Sequence, residues 1–231
     1  MSIKTFSIEL ISGVPIIRDN DHVILLDTGS PYTIHNSTSF NFLDKNYRVQ
    51  TSAGAFNIEN ISEKMGMQIT TLLGMDILKD LSIIFDYHNN QISLSEDEDF
   101  EGEEIAININ SGIPVIPVLI IDQYIPMFLD SGAQLSYLKR DITQHHKNLG
   151  ETEDFYPTIG RFTTTKYLIF SGLGPHLFEV FYGNLPKPLE GFLSKIDGNN
   201  GILGYDFFAK FKLCLNMKKK KVILMEGPRY H

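Results

Sequence analysis

Apolar and polar residues alternate over short stretches along most of this chain, the period of strands with one buried face. The pattern predicts strands at 4–10, 22–26, 47–51, 67–73, 81–85 and 91–94, and then at 105–109, 115–121, 124–129, 162–171, 176–182, 211–215 and 221–225. Helix signals are few and short, at 76–80, 141–148 and 206–210, with Asp76 and Asp206 read as N-caps. The chain therefore reads as mostly β. Between the two groups of strands lies SEDEDFEGEE, a block of like charge that belongs in solvent and lacks the ligand spacing of a calcium loop. It divides the chain into 1–94, an acidic linker at 95–104, and 105–231.

The two sides of that linker repeat one another. LLGMDILKDLSIIFDYHNNQISL, starting at Leu72, aligns without a gap with ILGYDFFAKFKLCLNMKKKKVIL, starting at Ile202. Leu73, Gly74, Asp76 and Leu94 match Leu203, Gly204, Asp206 and Leu224. Cys214 falls opposite Ile84 and reads as a core residue. Upstream, LLDTGS (25–30) matches FLDSGA (128–133). A single Asp-(Thr/Ser)-Gly-(Ser/Ala) tetrapeptide arises by chance in roughly one chain in fifty of this length. Two copies, each after an apolar strand and each before an apolar-apolar-Gly element, are a tandem duplication.

The repeated motif has a chemical consequence. An apolar strand ending in Asp-(Thr/Ser)-Gly sets a carboxylate at the mouth of a sharp loop. Gly29 and Gly132 permit a close approach by the partner loop, and the hydroxyls of Thr28 and Ser131 can lock it. If the repeats pack about a pseudo-twofold axis, Asp27 and Asp130 meet at its centre. Adjacent carboxyls share a proton, so one serves as base on a water while the other polarises a carbonyl. That chemistry needs neither metal nor cofactor.

Composition narrows the rest. Lys and Arg number 20 against 28 Asp and Glu, a net charge of −8, which argues against nucleic-acid binding. One cysteine excludes a disulfide framework and cysteine-rich metal sites. No apolar run is long enough for a membrane helix, and the start of the chain lacks the pattern of a signal peptide. The first aspartate lies only 27 residues in, which leaves no obvious propeptide. These features describe a soluble, cytoplasmic protein without membrane or nucleic-acid partners.

With its LLDTGS, FLDSGA, LLG (72–74) and ILG (202–204) segments, the chain resembles the pepsin and retropepsin superfamily of aspartic proteases. The resemblance implies an all-β, two-lobed acid-protease fold with β-barrel lobes, pseudo-twofold symmetry and a few short helices. It implies a monomeric aspartic endopeptidase that takes a peptide or protein substrate in extended form, with Asp27 and Asp130 as catalytic pair. Thr28, Gly29, Ser30, Ser131, Gly132 and Ala133 then support the active-site loops. Ser30 is placed to donate toward the pair and Ala133 cannot; the resemblance links alanine there with a mildly acidic to near-neutral optimum. The family's closing flap would fall at 47–58, with Ser52, Ala53 and Gly54 as its tip and Tyr47 and Phe56 as candidate aromatics. A loop at 186–200 lies near the implied cleft. The first unit is the reduced one: 47 residues separate Asp27 from Gly74, but 74 separate Asp130 from Gly204. A peptide-binding or regulatory protein of the same fold, with little hydrolytic activity behind a reduced flap, stands as the alternative.

Overall fold

The computed structural model describes residues 3–54, 56–96, 100–156, 160–193 and 201–228. Among these the protein is mostly β with a few short helices. Ten strands form one sheet, in the order Glu103–Ala106, Lys221–Glu226, Lys212–Asn216, Ser82–Asp86, Gln91–Ser95, Lys4–Ile11, Val14–Asp19, His22–Leu26, Thr71–Leu73 and Ile34–His35. Eight form a second, in the order Asn108–Asn110, Ile113–Ile120, Gln123–Leu129, Gly201–Leu203, Ser136–Leu138, His176–Asn184, Gly160–Leu173 and Asn148–Tyr156. In the second sheet Leu119 and Ile120 also pair with Gly172 and Ser171, closing its six inner strands into a barrel.

The repeats meet in the first sheet. Ser82–Asp86 runs antiparallel to Lys212–Asn216, and Ile84 pairs directly with Cys214. These are the two residues that the sequence repeat equates, so the local twofold passes between them. Both are buried, with Ile223, in a small apolar cluster. Burial pushes the Cys214 thiol up to about 12, so it is inert packing. The largest core cluster draws on both halves: Leu26, Leu73, Phe85, Leu129, Leu203 and Phe208 all belong to it.

Several expectations change here. The stretch 47–58 is not one hairpin. Leu43 and Asp44 both have positive φ (51° and 59°), the pair of angles that a two-residue β-turn of the primed type requires. They fold Lys45–Arg48 back onto Ser39–Phe42, so Tyr47 lies opposite Phe40. A separate short hairpin then pairs Ser52–Ala53 with Phe56–Asn57. Asn57 ends it by capping the helix Ile58–Met65: its Oδ1 accepts from the Asn60 N–H at 2.8 Å.

Asp76 and Asp206 are not N-caps. Gly74 and Gly204 hold those positions before the helices Met75–Leu78 and Tyr205–Phe208, and the aspartates sit in the first turn. Asp76 Oδ1 instead accepts from the Thr33 N–H (2.9 Å) and hydroxyl (2.6 Å), tying the loop after Ser30 to the helix. The helix at 141–148 is the single turn Arg140–Thr143, and Asn148 already begins the strand Asn148–Tyr156. The loop at 186–200 contains the helix Lys187–Leu193, and 194–200 lie outside the described residues. The acidic stretch is strand at both ends: Ser95 closes Gln91–Ser95, and Glu103 and Glu104 open Glu103–Ala106.

Candidate active site

Each Asp-(Thr/Ser)-Gly loop is held from two directions. Parallel pairing sets Leu26 beside Leu73 and Leu129 beside Leu203. The N–H groups of Asp27 and Asp130 then donate to the carbonyls of Leu73 and Leu203, both at 3.0 Å. Behind the loops, Met75 N–H donates to Ser30 C=O (2.8 Å) and Tyr205 N–H donates to Ala133 C=O (3.0 Å). This crossing needs glycine at 74 and 204. A Cβ would lie 2.4 Å from the Tyr32 carbonyl oxygen at the first and 2.4 Å from the Leu135 carbonyl oxygen at the second.

The loops are locked to one another. Thr28 N–H donates to Ser131 Oγ at 3.0 Å, and Ser131 N–H donates to Thr28 Oγ1 at 2.9 Å. Each hydroxyl donates across the junction, Thr28 to Leu129 C=O (2.8 Å) and Ser131 to Leu26 C=O (2.9 Å). Both side chains are fully buried, so these four bonds form away from water and are costly to leave unmade.

Above that lock the carboxyls of Asp27 and Asp130 are neighbours that line one cavity, close enough for each to shift the other's titration. Both are buried at 7% and 4% exposure. Each rests on the opposite glycine: a Cβ on Gly29 would lie 2.2 Å from Asp130 Cγ, and one on Gly132 would lie 2.7 Å from Asp27 Cγ. The N–H of Gly29 donates to Asp27 Oδ1 (2.8 Å), and that of Gly132 to Asp130 Oδ1 (2.9 Å). Burial, then the Asp130 charge, pushes Asp27 well above the usual carboxylate range. Burial also raises Asp130, but hydrogen bonds from Tyr156, from Asp27 and from the Gly132 backbone oppose the rise.

Two features of this centre were not read from the sequence. The Ser30 hydroxyl does not face the carboxyls; it donates to Tyr32 C=O at 2.8 Å, and only the Ser30 backbone N–H turns toward Asp27. Tyr156, at the end of Asn148–Tyr156, donates its hydroxyl to Asp130 Oδ2 at 2.9 Å. The sequence offered little sign of it. NLGETEDFY has no apolar alternation over its first six residues, because this edge strand exposes both faces there.

The carboxyls open into a cavity of about 530 Å³. Ile34, Ala53, Phe56, Ile61 and Leu72 line one side; Ile113, Tyr156 and Leu189 line the other. Of the residues expected in a flap, Ala53 and Phe56 thus face the cavity. Gly54 forms the hairpin turn at φ +62°, Ser52 is exposed, and Tyr47 packs on the main core away from the cavity. The cavity wall carries no lysine, arginine or histidine among the described residues.

Comparison with known proteins bears on the fold. No family model matches the sequence, and no curated protein matches it. Among solved structures, the chain is similar to an aspartic proteinase from Irpex lacteus, at 11% identity and TM-score 0.54 over 98% of both chains. It is also similar to a retropepsin-like aspartic protease from Rickettsia conorii, at 18% identity and TM-score 0.38, covering 54% of this chain and 91% of that one. Over its full length the protein therefore has a fold related to that of aspartic proteases.

Proposed function

We propose that the protein is an aspartic endopeptidase with two lobes, 1–94 and 105–231, joined by the acidic segment 95–104. Its substrate is an extended peptide laid along the cavity, with apolar side chains against Ile34, Phe56 and Leu72. One carboxylate of the pair Asp27 and Asp130 takes a proton from a water held between them. The water oxygen bonds to the peptide carbonyl carbon, and the other carboxyl, protonated, gives its proton to the carbonyl oxygen. Collapse of the resulting diol breaks the C–N bond, and the amine leaves with a proton returned from the pair. No metal or covalent intermediate takes part.

The single observation carrying this reading is the pair of buried carboxyls that two interlocked loops bring together, each against the other loop's glycine. Burying two such groups together costs stability, and a binding module gains nothing from that cost. The test is cleavage of a peptide library from pH 3 to 8 by wild type, Asp27→Asn and Asp130→Asn. Cleavage by wild type alone supports the reading. Cleavage surviving either substitution overturns it, and so does wild type that binds peptides without cutting them.

A further inference from the structure

The two aspartate loops are alike in backbone and unlike in what reaches the outer oxygens. Both Oδ1 atoms are matched, each by the N–H two residues on. The next residue in each loop supplies no hydroxyl to either carboxyl: Ser30 Oγ is committed to Tyr32 C=O, and Ala133 has none. Asp130 Oδ2 nonetheless receives a hydroxyl, from Tyr156, which stands 26 residues away on another strand. Asp27 Oδ2 receives no such side-chain hydroxyl among the described residues.

We propose that Tyr156 is a positioning residue: by donating to Asp130 Oδ2 it holds Asp130 as the ionised member of the pair and leaves Asp27 as the protonated one. A hydroxyl donated to a carboxylate favours the charged form, and here only one of the two carboxyls has it. Burial and the nearby Asp130 charge keep the Tyr156 phenol protonated, so it acts as donor throughout. The other titratable groups near the pair are Tyr32 in the cavity wall and Tyr87, whose phenol burial pushes well above its ordinary range. Among the described residues the wall holds no lysine, arginine or histidine, and the Tyr156 hydroxyl is the side-chain donor that makes the pair asymmetric. Resting on the hydrolytic reading, this assigns the proton-accepting role to Asp130 and the proton-donating role to Asp27. It also moves the part expected of Ser30 to a residue of the other repeat.

The test follows aspartate carboxyl carbons by ¹³C NMR across pH in wild type, Tyr156→Phe and a protein with 3-fluorotyrosine at 156, with Asp27→Asn to assign signals. Cleavage profiles are recorded alongside. The pair titrates in two apparent steps, and in wild type the lower one should belong to Asp130. Tyr156→Phe should raise that step by about one pH unit, a tenfold tighter hold on the proton, and move the acid limb of kcat/KM with it. Fluorotyrosine, a stronger donor of nearly the same shape, should lower both, and it reports even if the phenylalanine protein folds poorly. Superimposable titrations, or a lower step carried by Asp27, overturn the proposal. A uniform loss of rate with no moved limb overturns it too, since a structural role predicts that result. Shifted carboxyl steps without any cleavage leave the charge assignment standing and overturn the protease reading instead.

Discussion

Thr28 and Ser131, 103 residues apart, are each the hydrogen-bond acceptor for the other's backbone N–H. The two loops thereby become one structural unit, and neither can move without breaking bonds in both. Thr28→Val keeps the shape and removes the hydroxyl, orphaning the buried Ser131 N–H and Leu129 C=O. We expect a loss of about 2–4 kcal/mol in urea unfolding. Ser131→Ala should cost a similar amount, and the double variant clearly less than the sum, because both break the same network. Additive losses would show the loops to be independent.

Stability should fall as pH rises from mildly acidic to alkaline. Asp27 and Asp130 are raised by burial; burial and the Asp206 charge take Asp154 to about 7, and burial takes Asp206 to about 6. Asp154 Oδ2 and Asp206 Oδ2 are both buried without a hydrogen-bond partner. A raised carboxyl binds its proton more tightly when folded. Its contribution is complete below the unfolded value near 4 and is lost as pH climbs through the folded value. Asp86 works in the opposite sense. Although burial pushes it up, hydrogen bonds from Asn89 and Lys212 hold it below its ordinary value, so its contribution disappears on strong acidification. Thermal unfolding should therefore give a higher Tm at pH 5 than at pH 8. Asp154→Asn should recover ~2 kcal/mol at pH 8 and little at pH 4; an equal gain at both would contradict the titration.

Glycine substitutions should separate close backbone crossings from open positions. Gly204→Ala drives a Cβ into the Leu135 carbonyl, a backbone atom with nowhere to go, and should cost at least ~3 kcal/mol or prevent folding. Gly191→Ala, in the helix Lys187–Leu193, meets nothing within 4 Å. It should be neutral or stabilise by up to about 1 kcal/mol through helix propensity. Chemical denaturation of the two side by side is sufficient.

The apolar wall makes a prediction about substrate. Phe56→Ser removes the large aromatic from the hairpin side of the cavity. For peptides with bulky apolar residues beside the cut bond, KM should rise about tenfold, with a smaller change in kcat. Equal KM values for wild type and variant across such peptides would place the substrate elsewhere.

Much of the β structure was legible because half-buried strands write their geometry into the sequence. His22–Leu26 matches its predicted bounds, and Gln91–Ser95 and Gln123–Leu129 do so within a residue. Strands without that signature went unread. Val14–Asp19 begins with four consecutive buried residues, and Asn148–Tyr156 begins with four exposed ones, so neither alternates. The helix Ile58–Met65 was hidden by reading 47–58 as a single hairpin, when a two-residue turn at Leu43 and Asp44 had already used the first of those strands.

By itself the sequence determined which residues recur. Its duplication sets Asp27 and Asp130 in matching loops, and Ile84 against Cys214, because repeated patterns fold into repeated units and related units can pack about a common axis. Only the tertiary structure decided what surrounds the carboxyls. The Ser30 hydroxyl turned to a nearby carbonyl, Ala53 and Phe56 reached the cavity while Tyr47 did not, and Tyr156 arrived from a distant edge strand. Periodicity records which face of a strand is buried. It carries no information about which side chain, at the end of a long antiparallel pairing, the register brings to within 2.9 Å of a carboxylate.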